Sequence, residues 1–124
     1  MPHKISRKTI RNKLDKKCSE IIRSRARCEH CGRTDNLQCA HIVSRSNLHT
    51  RWFIPNLLCL CANCHMNFAH KDPIAFMDWL NVYLSIHMDE IRRRARLTDK
   101  IYDHELVELL RQLCSQDIAR RLKG

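Results

Sequence analysis

Two pairs of cysteines limit most strongly what this chain can fold into. Each pair has two residues between its cysteines, Cys28 with Cys31 and Cys61 with Cys64, and residues 32–60 separate the pairs. This spacing is typical of tetrahedral zinc sites, to which each pair supplies two thiolates. Four thiolates fill the zinc shell and leave no open position. The spacing therefore predicts a structural Zn²⁺ that closes the base of an inserted hairpin, and the alternative is four unligated core cysteines.

The segment around these pairs predicts a small centre containing two strands. Residues 28–35 contain Gly32 and turn-forming residues, and the apolar runs 37–43 and 57–61 have the length of short buried strands. A short helix is predicted for residues 62–70. Cys39 and His41 are two residues apart, so both point to one face of the first strand. We interpret Cys39 as a small buried residue, with a substitute zinc ligand as the alternative. Cys18, Cys59 and Cys114 are interpreted as thiols without a chemical role.

Both ends of the chain predict helices. Residues 6–27 form a basic amphipathic segment, whose arginines and lysines either contact phosphate or form a solvated face, and Asp72-Pro73 is typical of a helix start. One long helix is predicted to carry an apolar stripe of Met77, Leu80, Leu84, Met88 and Ile91. A last helix is predicted from Asp103, with Leu106, Leu109, Leu110 and Leu113 facing inward. The sequence thus predicts one α+β, mostly helical domain over residues 1–124, with helices at 6–27 and 72–124 and a zinc-bound core at 28–70.

The charge balance favours a polyanionic partner. Lysine and arginine number 23 against 13 acidic residues, which gives a formal net charge of +10. Cationic side chains release condensed counterions when they meet nucleic-acid phosphates, although a basic protein without such a partner is the simpler alternative. No secretory signal or membrane-length apolar segment is present, so we expect a cytoplasmic protein without a membrane partner. A reducing cytosol also favours metal binding over disulfides for the paired cysteines.

One histidine, His41, is not needed by the cysteine site. With Asn56 and His65 it forms the series H-x14-N-x8-H. Together with the two cysteine pairs, this series resembles the HNH (ββα-metal, His-Me finger) endonucleases over residues 28–70. The stretch CAHIVSRSNLHTRW, followed by Asn56 and CANC, resembles most closely the NinG/Rap-type recombination endonucleases of phages. His65 departs from that subgroup, which has asparagine there.

The resemblance implies a metal-dependent hydrolase that cuts DNA phosphodiester bonds. His41 would be the general base, since a neutral imidazole can accept a proton near pH 7. Asn56 would hold the hairpin backbone, and His65, with His70 as a further candidate, would bind a catalytic Mg²⁺ or Mn²⁺. Arg45 and Arg51 would contact phosphate.

The subgroup further implies a phage-encoded enzyme that acts on branched DNA in the cytoplasm of a bacterial host. A homodimer is expected if both strands of a junction are cut.

Two features of the sequence leave other interpretations open. Ala40 stands where many HNH members have an aspartate or histidine that ligates the catalytic metal. This favours a non-catalytic zinc-containing DNA-binding module. The C-terminal helices leave open an adaptor in a phage recombination or packaging assembly, which is compatible with nuclease activity. His65 follows Cys64 directly, so its alternative role is to donate a hydrogen bond to a zinc thiolate.

Overall fold

A computed structural model describes residues 5–123, and the predicted domain ends at residues 1 and 124 lie outside the described residues. This part of the chain is α+β and mostly helical, which confirms the predicted class. Its elements are, in order, α1 (Arg7–Arg23), β1 (Leu37–His41), α2 (Leu48–Arg51), a 3-10 turn (Ile54–Asn56), β2 (Leu57–Cys61), a π-helix (Cys64–His70), α3 (Pro73–Tyr83), α4 (Met88–Ala95) and α5 (Asp103–Lys123).

The sheet is an antiparallel pair in which Leu37 lies opposite Cys61 and His41 opposite Leu57. The first strand ends two residues earlier than predicted. Its next backbone N–H groups, those of Ile42 and Val43, donate to the backbone carbonyl and side-chain oxygen of Asn56 at 2.9 and 2.8 Å. These bonds to Asn56 replace the continuation of the ladder and start the loop that joins the strands.

Every residue of β2 is buried, because the sheet separates two hydrophobic clusters. Leu58 and Leu60 belong to the cluster on the cysteine side, whereas Leu57 and Cys59 belong to the cluster beneath α1 and α5. A continuous apolar run is what a strand covered on both faces requires.

Helices α1 and α5 run parallel and cover one face of the sheet. Arg7 Nη1 lies 2.6 Å from Asp103 Oδ1, and Lys17 Nζ lies 3.2 Å from Asp117 Oδ2. The buried face of α1 repeats every four residues, as an amphipathic helix requires, through Ile10, Leu14, Cys18 and Ile22. The predicted inward face of α5 is confirmed: Leu106 and Leu113 are buried, and Leu109 and Leu110 pack at the edge of the same cluster.

Helix α1 ends four residues before the predicted boundary at residue 27. The backbone N–H of Ser24 donates to the Glu20 carbonyl oxygen and completes the last turn. Ala26 then takes a φ of 69°, which turns the chain towards Cys28.

The prediction of one long helix after Pro73 is wrong. Asp72 caps α3 as expected, with its side chain accepting from the Ala75 backbone N–H. The helix is then interrupted at residues 84–87, before α4 begins. Val82, Ser85 and Ile86 are weaker helix formers than leucine or alanine. Of the predicted apolar stripe, Met77 is exposed, whereas Leu80, Met88 and Ile91 belong to the cysteine-side cluster. None of the described helices is long and apolar enough to cross a membrane.

Candidate functional site

The four paired cysteines come together, as the sequence predicts. The sulfur atoms of Cys28, Cys31, Cys61 and Cys64 all lie within 4.8 Å of one another, and only Cys31 is exposed. Within residues 5–123, no other group of three or more histidine, cysteine or acidic side chains could hold a metal ion. The cluster is a possible metal site, and its four sulfur ligands are compatible with structural zinc.

Backbone geometry favours a thiolate at Cys28, whereas burial and hydrogen bonds with the neighbouring cysteines raise the pKa of Cys64. The Cys28 N–H donates to the Arg33 carbonyl oxygen at 2.7 Å, and Gly32, at a φ of 82°, donates back to the Cys28 carbonyl oxygen at 2.9 Å. This tight turn points the Cys31 N–H at Cys28 Sγ, 3.5 Å away. Burial opposes ionisation of Cys28, but such backbone N–H groups outweigh it and lower its pKa to about 6.

His30 is a member of the site that the sequence analysis did not assign. It lies inside the first cysteine pair, its Nδ1 is 3.3 Å from Cys64 Sγ, and its ring stacks on Phe68 with centroids 4.0 Å apart. A histidine at this place contacts a ligand atom without being a ligand. The thiolate contact considered for His65 is therefore made by His30.

His41 lies at the end of β1, half-buried, with one ring nitrogen engaged. Its Nε2 is 3.1 Å from the Arg51 carbonyl oxygen, which is only an acceptor, so Nε2 carries the proton and Nδ1 is the basic nitrogen. Burial lowers the pKa of His41 below 6.5, although the bond to Arg51 opposes this shift. The imidazole is consequently neutral at pH 7.

Asn56 joins the two ends of the loop that holds His41. Its buried amide makes three hydrogen bonds: Oδ1 accepts from the Val43 N–H at 2.8 Å, and Nδ2 donates to the carbonyl oxygens of Thr50 at 3.0 Å and Val43 at 3.3 Å. Thr50 precedes the residue whose carbonyl holds His41. The side chain thus makes the hairpin-backbone contacts that the sequence analysis assigned to it.

We expect Asn56→Ala to lower the free energy of unfolding by about 3 kcal/mol, because buried backbone groups lose their partners. Urea denaturation of the metal-loaded protein, followed by circular dichroism, measures this change. Asn67→Ala is the matched control, since Asn67 is exposed and bonds only the Asn63 side chain. Equal midpoints for the two variants would contradict the bracing role of Asn56.

His65 and His70 lie side by side because the helix that carries them is a π-helix. On an α-helix, residues five apart point in different directions, which made His70 the weaker candidate. A π-helix bonds residues five apart and aligns them, and the two ring centroids are 4.8 Å apart. Burial, followed by the neighbouring His70 and His41, lowers the pKa of His65. The geometry suits a pair of metal ligands, and the lowered pKa of His65 favours the neutral imidazole that a metal binds.

Gln38 adds an oxygen next to this pair. Its Oε1 lies 2.7 Å from His65 Nδ1, and on β1 it shares a face with Ala40. Ala40 is buried against the cysteine-side cluster and offers no ligand atom. Gln38 is therefore the polar residue of this strand face. The alternation of side-chain direction along a strand could have identified it from the sequence.

Asp15 of α1 determines what the two predicted phosphate-binding arginines do. Arg51 is buried and donates to both Asp15 oxygens, from Nε at 3.0 Å and Nη2 at 2.6 Å, and Trp52 Nε1 donates at 2.8 Å. Arg45 is exposed and lies 3.1 Å from the same carboxylate. Burial raises the pKa of Asp15, but the bonds from Arg51 and Trp52 prevail and lower it overall. Arg51 therefore braces the loop, and Arg45 remains accessible to solvent.

His41 opens into a cleft of about 380 Å³ between α1 and β1. Its lining residues come from α1, from β1 and from the loop after β1: Asp15, Cys18, Ser19, Arg23, Leu37, Gln38, Cys39, His41, Arg45 and Arg51. Sequence analysis predicted the two loop arginines and considered phosphate contact by the basic residues of α1, but it did not place α1 beside His41. That connection depends on tertiary packing.

Comparison of the chain with family models, with curated proteins and with solved structures found no match. The case for a function therefore depends on the cysteine cluster and on the surroundings of His41.

Proposed function

We propose that this protein is a metal-dependent DNA endonuclease of the HNH type, in which residues 28–70 form a zinc-stabilised ββα-metal core. One observation carries the proposal. The Arg51 carbonyl holds His41 Nε2, which leaves Nδ1 as the basic nitrogen of a histidine that lines a cleft with three arginines and one aspartate. The His65–His70 pair is the nearby candidate for a catalytic ion.

His41 acts as the general base. Its Nδ1 removes a proton from water, the water oxygen bonds to phosphorus, and the bond from phosphorus to the 3′ oxygen breaks. Solvent protonates the departing oxygen, which gives 5′-phosphate and 3′-hydroxyl ends. Asn56 braces the loop, so that the Arg51 carbonyl keeps a proton on His41 Nε2 and leaves Nδ1 able to accept the proton from water.

Two metal sites with different tasks fit the side chains. Cys28, Cys31, Cys61 and Cys64 would hold zinc for structure. His65, His70 and Gln38 would hold Mg²⁺ or Mn²⁺, which supplies charge stabilisation to the phosphate and the departing oxygen. Mg²⁺ retains several waters and binds partly through substrate phosphate, so it needs only a few protein ligands.

The resemblance of residues 39–52 to the phage recombination subgroup extends the proposal to substrate and setting. The substrate would be a branched recombination intermediate, cut in the cytoplasm of a bacterial host by a homodimer that treats both strands alike.

A non-catalytic DNA-binding module or adaptor is the second candidate. It is favoured by the absence, within the described part of the chain, of a second group of three histidine, cysteine or acidic ligands. In that case His65 and His70 would be surface histidines.

Cleavage of supercoiled plasmid and of a four-way DNA junction tests the proposal. We expect nicking and junction resolution with Mg²⁺ or Mn²⁺, and none with EDTA added just before the reaction. Faster cutting of the junction would support the recombination subgroup. DNA binding without cutting under every metal condition would favour the non-catalytic module.

A further inference from the structure

We propose that the cleft between α1 and β1 binds the sugar–phosphate backbone of DNA. In this proposal Arg23 of α1, which has no carboxylate partner among the described residues, contacts a phosphate group. The inference deepens the proposed function, on which it rests for the identity of the ligand as DNA. It assigns to α1 a role in substrate binding in addition to its packing against α5.

The charge of the cleft suits an anionic strand. Its lining contains three arginines against the single carboxylate of Asp15, a formal excess of two positive charges. Burial raises the pKa of Cys18 to about 12 and that of Cys39 to about 11, so both thiols in the lining are neutral at pH 7. The excess of positive charge is therefore not cancelled by thiolates.

Among the three arginines, Arg23 is the one without a carboxylate partner. Arg51 and Arg45 both contact Asp15, whereas no carboxylate oxygen of the described residues lies within 4.0 Å of Arg23. Its Nε donates to Ser19, to the hydroxyl at 3.0 Å and to the carbonyl oxygen at 3.3 Å. These bonds orient an exposed guanidinium whose two terminal nitrogens have no hydrogen bond within the described residues.

Arg23 and His41 both line the cleft. Asp15, Arg45 and Arg51 act on the pKa of His41, whereas Arg23, together with Arg25 and Asp15, acts on the pKa of Cys39. Asp15 and Arg23 are eight residues apart on α1, which is about 12 Å at 1.5 Å per residue. One DNA strand rises about 3.4 Å per nucleotide. A single strand can therefore meet Arg45, His41 and Arg23 within about four nucleotides.

Salt dependence of DNA binding tests the role of Arg23. We would measure the affinity for a labelled duplex by fluorescence anisotropy from about 50 to 200 mM salt, without added Mg²⁺ or Mn²⁺. For Arg23→Gln, the slope of log affinity against log salt should fall by about 0.9, the value of one phosphate contact. Arg23→Lys retains the charge and should retain the wild-type slope.

Arg96→Gln is the matched control, because Arg96 is also exposed, has no carboxylate partner among the described residues and lies outside the cleft. Its slope should equal that of wild type. Equal slopes for Arg23→Gln and Arg96→Gln, or no DNA binding by the wild type, would overturn the proposal. This test is separate from the test of nuclease activity. A reduced slope for Arg23→Gln in a protein that does not cut DNA would support DNA binding in the cleft and contradict catalysis.

Discussion

Cys61→Ser should remove the bound metal and abolish the cooperative thermal unfolding transition on the cysteine side of the sheet. Cys61 ends β2, and its sulfur lies 3.6 Å from that of Cys31, so the variant breaks the cluster at the link between the strand and the first cysteine turn. Structural zinc contributes about 10–16 kcal/mol of apparent binding free energy in small domains. That amount equals or exceeds the whole stability of a typical domain, about 5–15 kcal/mol.

Metal analysis and thermal unfolding followed by circular dichroism measure the effect. Cys114→Ser is the matched control, because Cys114 lies on α5 outside the cluster. We expect one zinc per chain in the wild type and the control, and much less in Cys61→Ser. A wild-type protein without zinc, or a Cys61→Ser variant with an unchanged melting temperature, would contradict the structural role of the cluster.

His41→Ala should reduce the cleavage rate by about 10²–10⁴-fold, the usual contribution of a general base. Zinc content should be unchanged, because His41 lies outside the cysteine cluster. The wild-type rate should rise with pH and level off above the pKa of His41, since only the neutral imidazole accepts a proton. Burial lowers this pKa from 6.5, so most of the His41 population should be neutral, and the wild type active, at pH 7.

The same pKa affects stability in a known direction. The unfolded chain binds a proton at His41 more readily than the folded chain, so the free energy of unfolding falls as the pH drops below about 6.5. His41→Ala removes this part of the acid sensitivity.

His87→Ala is the matched control, because His87 is exposed and lies outside the cleft. Full activity in His41→Ala, measured on metal-loaded protein, would exclude His41 as the base. Equal loss in both variants would indicate a general effect on folding.

Local chemistry explains what the sequence predicted well. Asp72-Pro73 starts α3 because a side-chain cap and a proline at the first turn act within a few residues. The cysteine cluster follows from spacing alone, and β2 follows from an unbroken apolar run. Each of these signals is complete within a short segment.

Interactions between distant segments explain what the sequence did not predict. The bidentate pair of Arg51 with Asp15 joins residues 36 positions apart, and no periodicity marks it. The π-helix that aligns His65 with His70 depends on how the segment packs between β2 and α3. The break after Tyr83 lies in a stripe whose apolar spacing continues unchanged, so the pattern could not reveal it.

The strand β2 also has a consequence for how the protein opens. It lies between both hydrophobic clusters: Leu58, Leu60 and Cys61 belong to the cysteine-side cluster, and Leu57 and Cys59 belong to the other. One helical layer consists of α1 and α5, and the other of the π-helix, α3 and α4. Separation of either layer from β2 would expose the side chains on that side to water, and separation of both would expose the whole strand. The two layers are thus energetically coupled through five residues. Loss of metal from the cysteine cluster should therefore weaken the packing of α1 and α5 on the opposite side of β2.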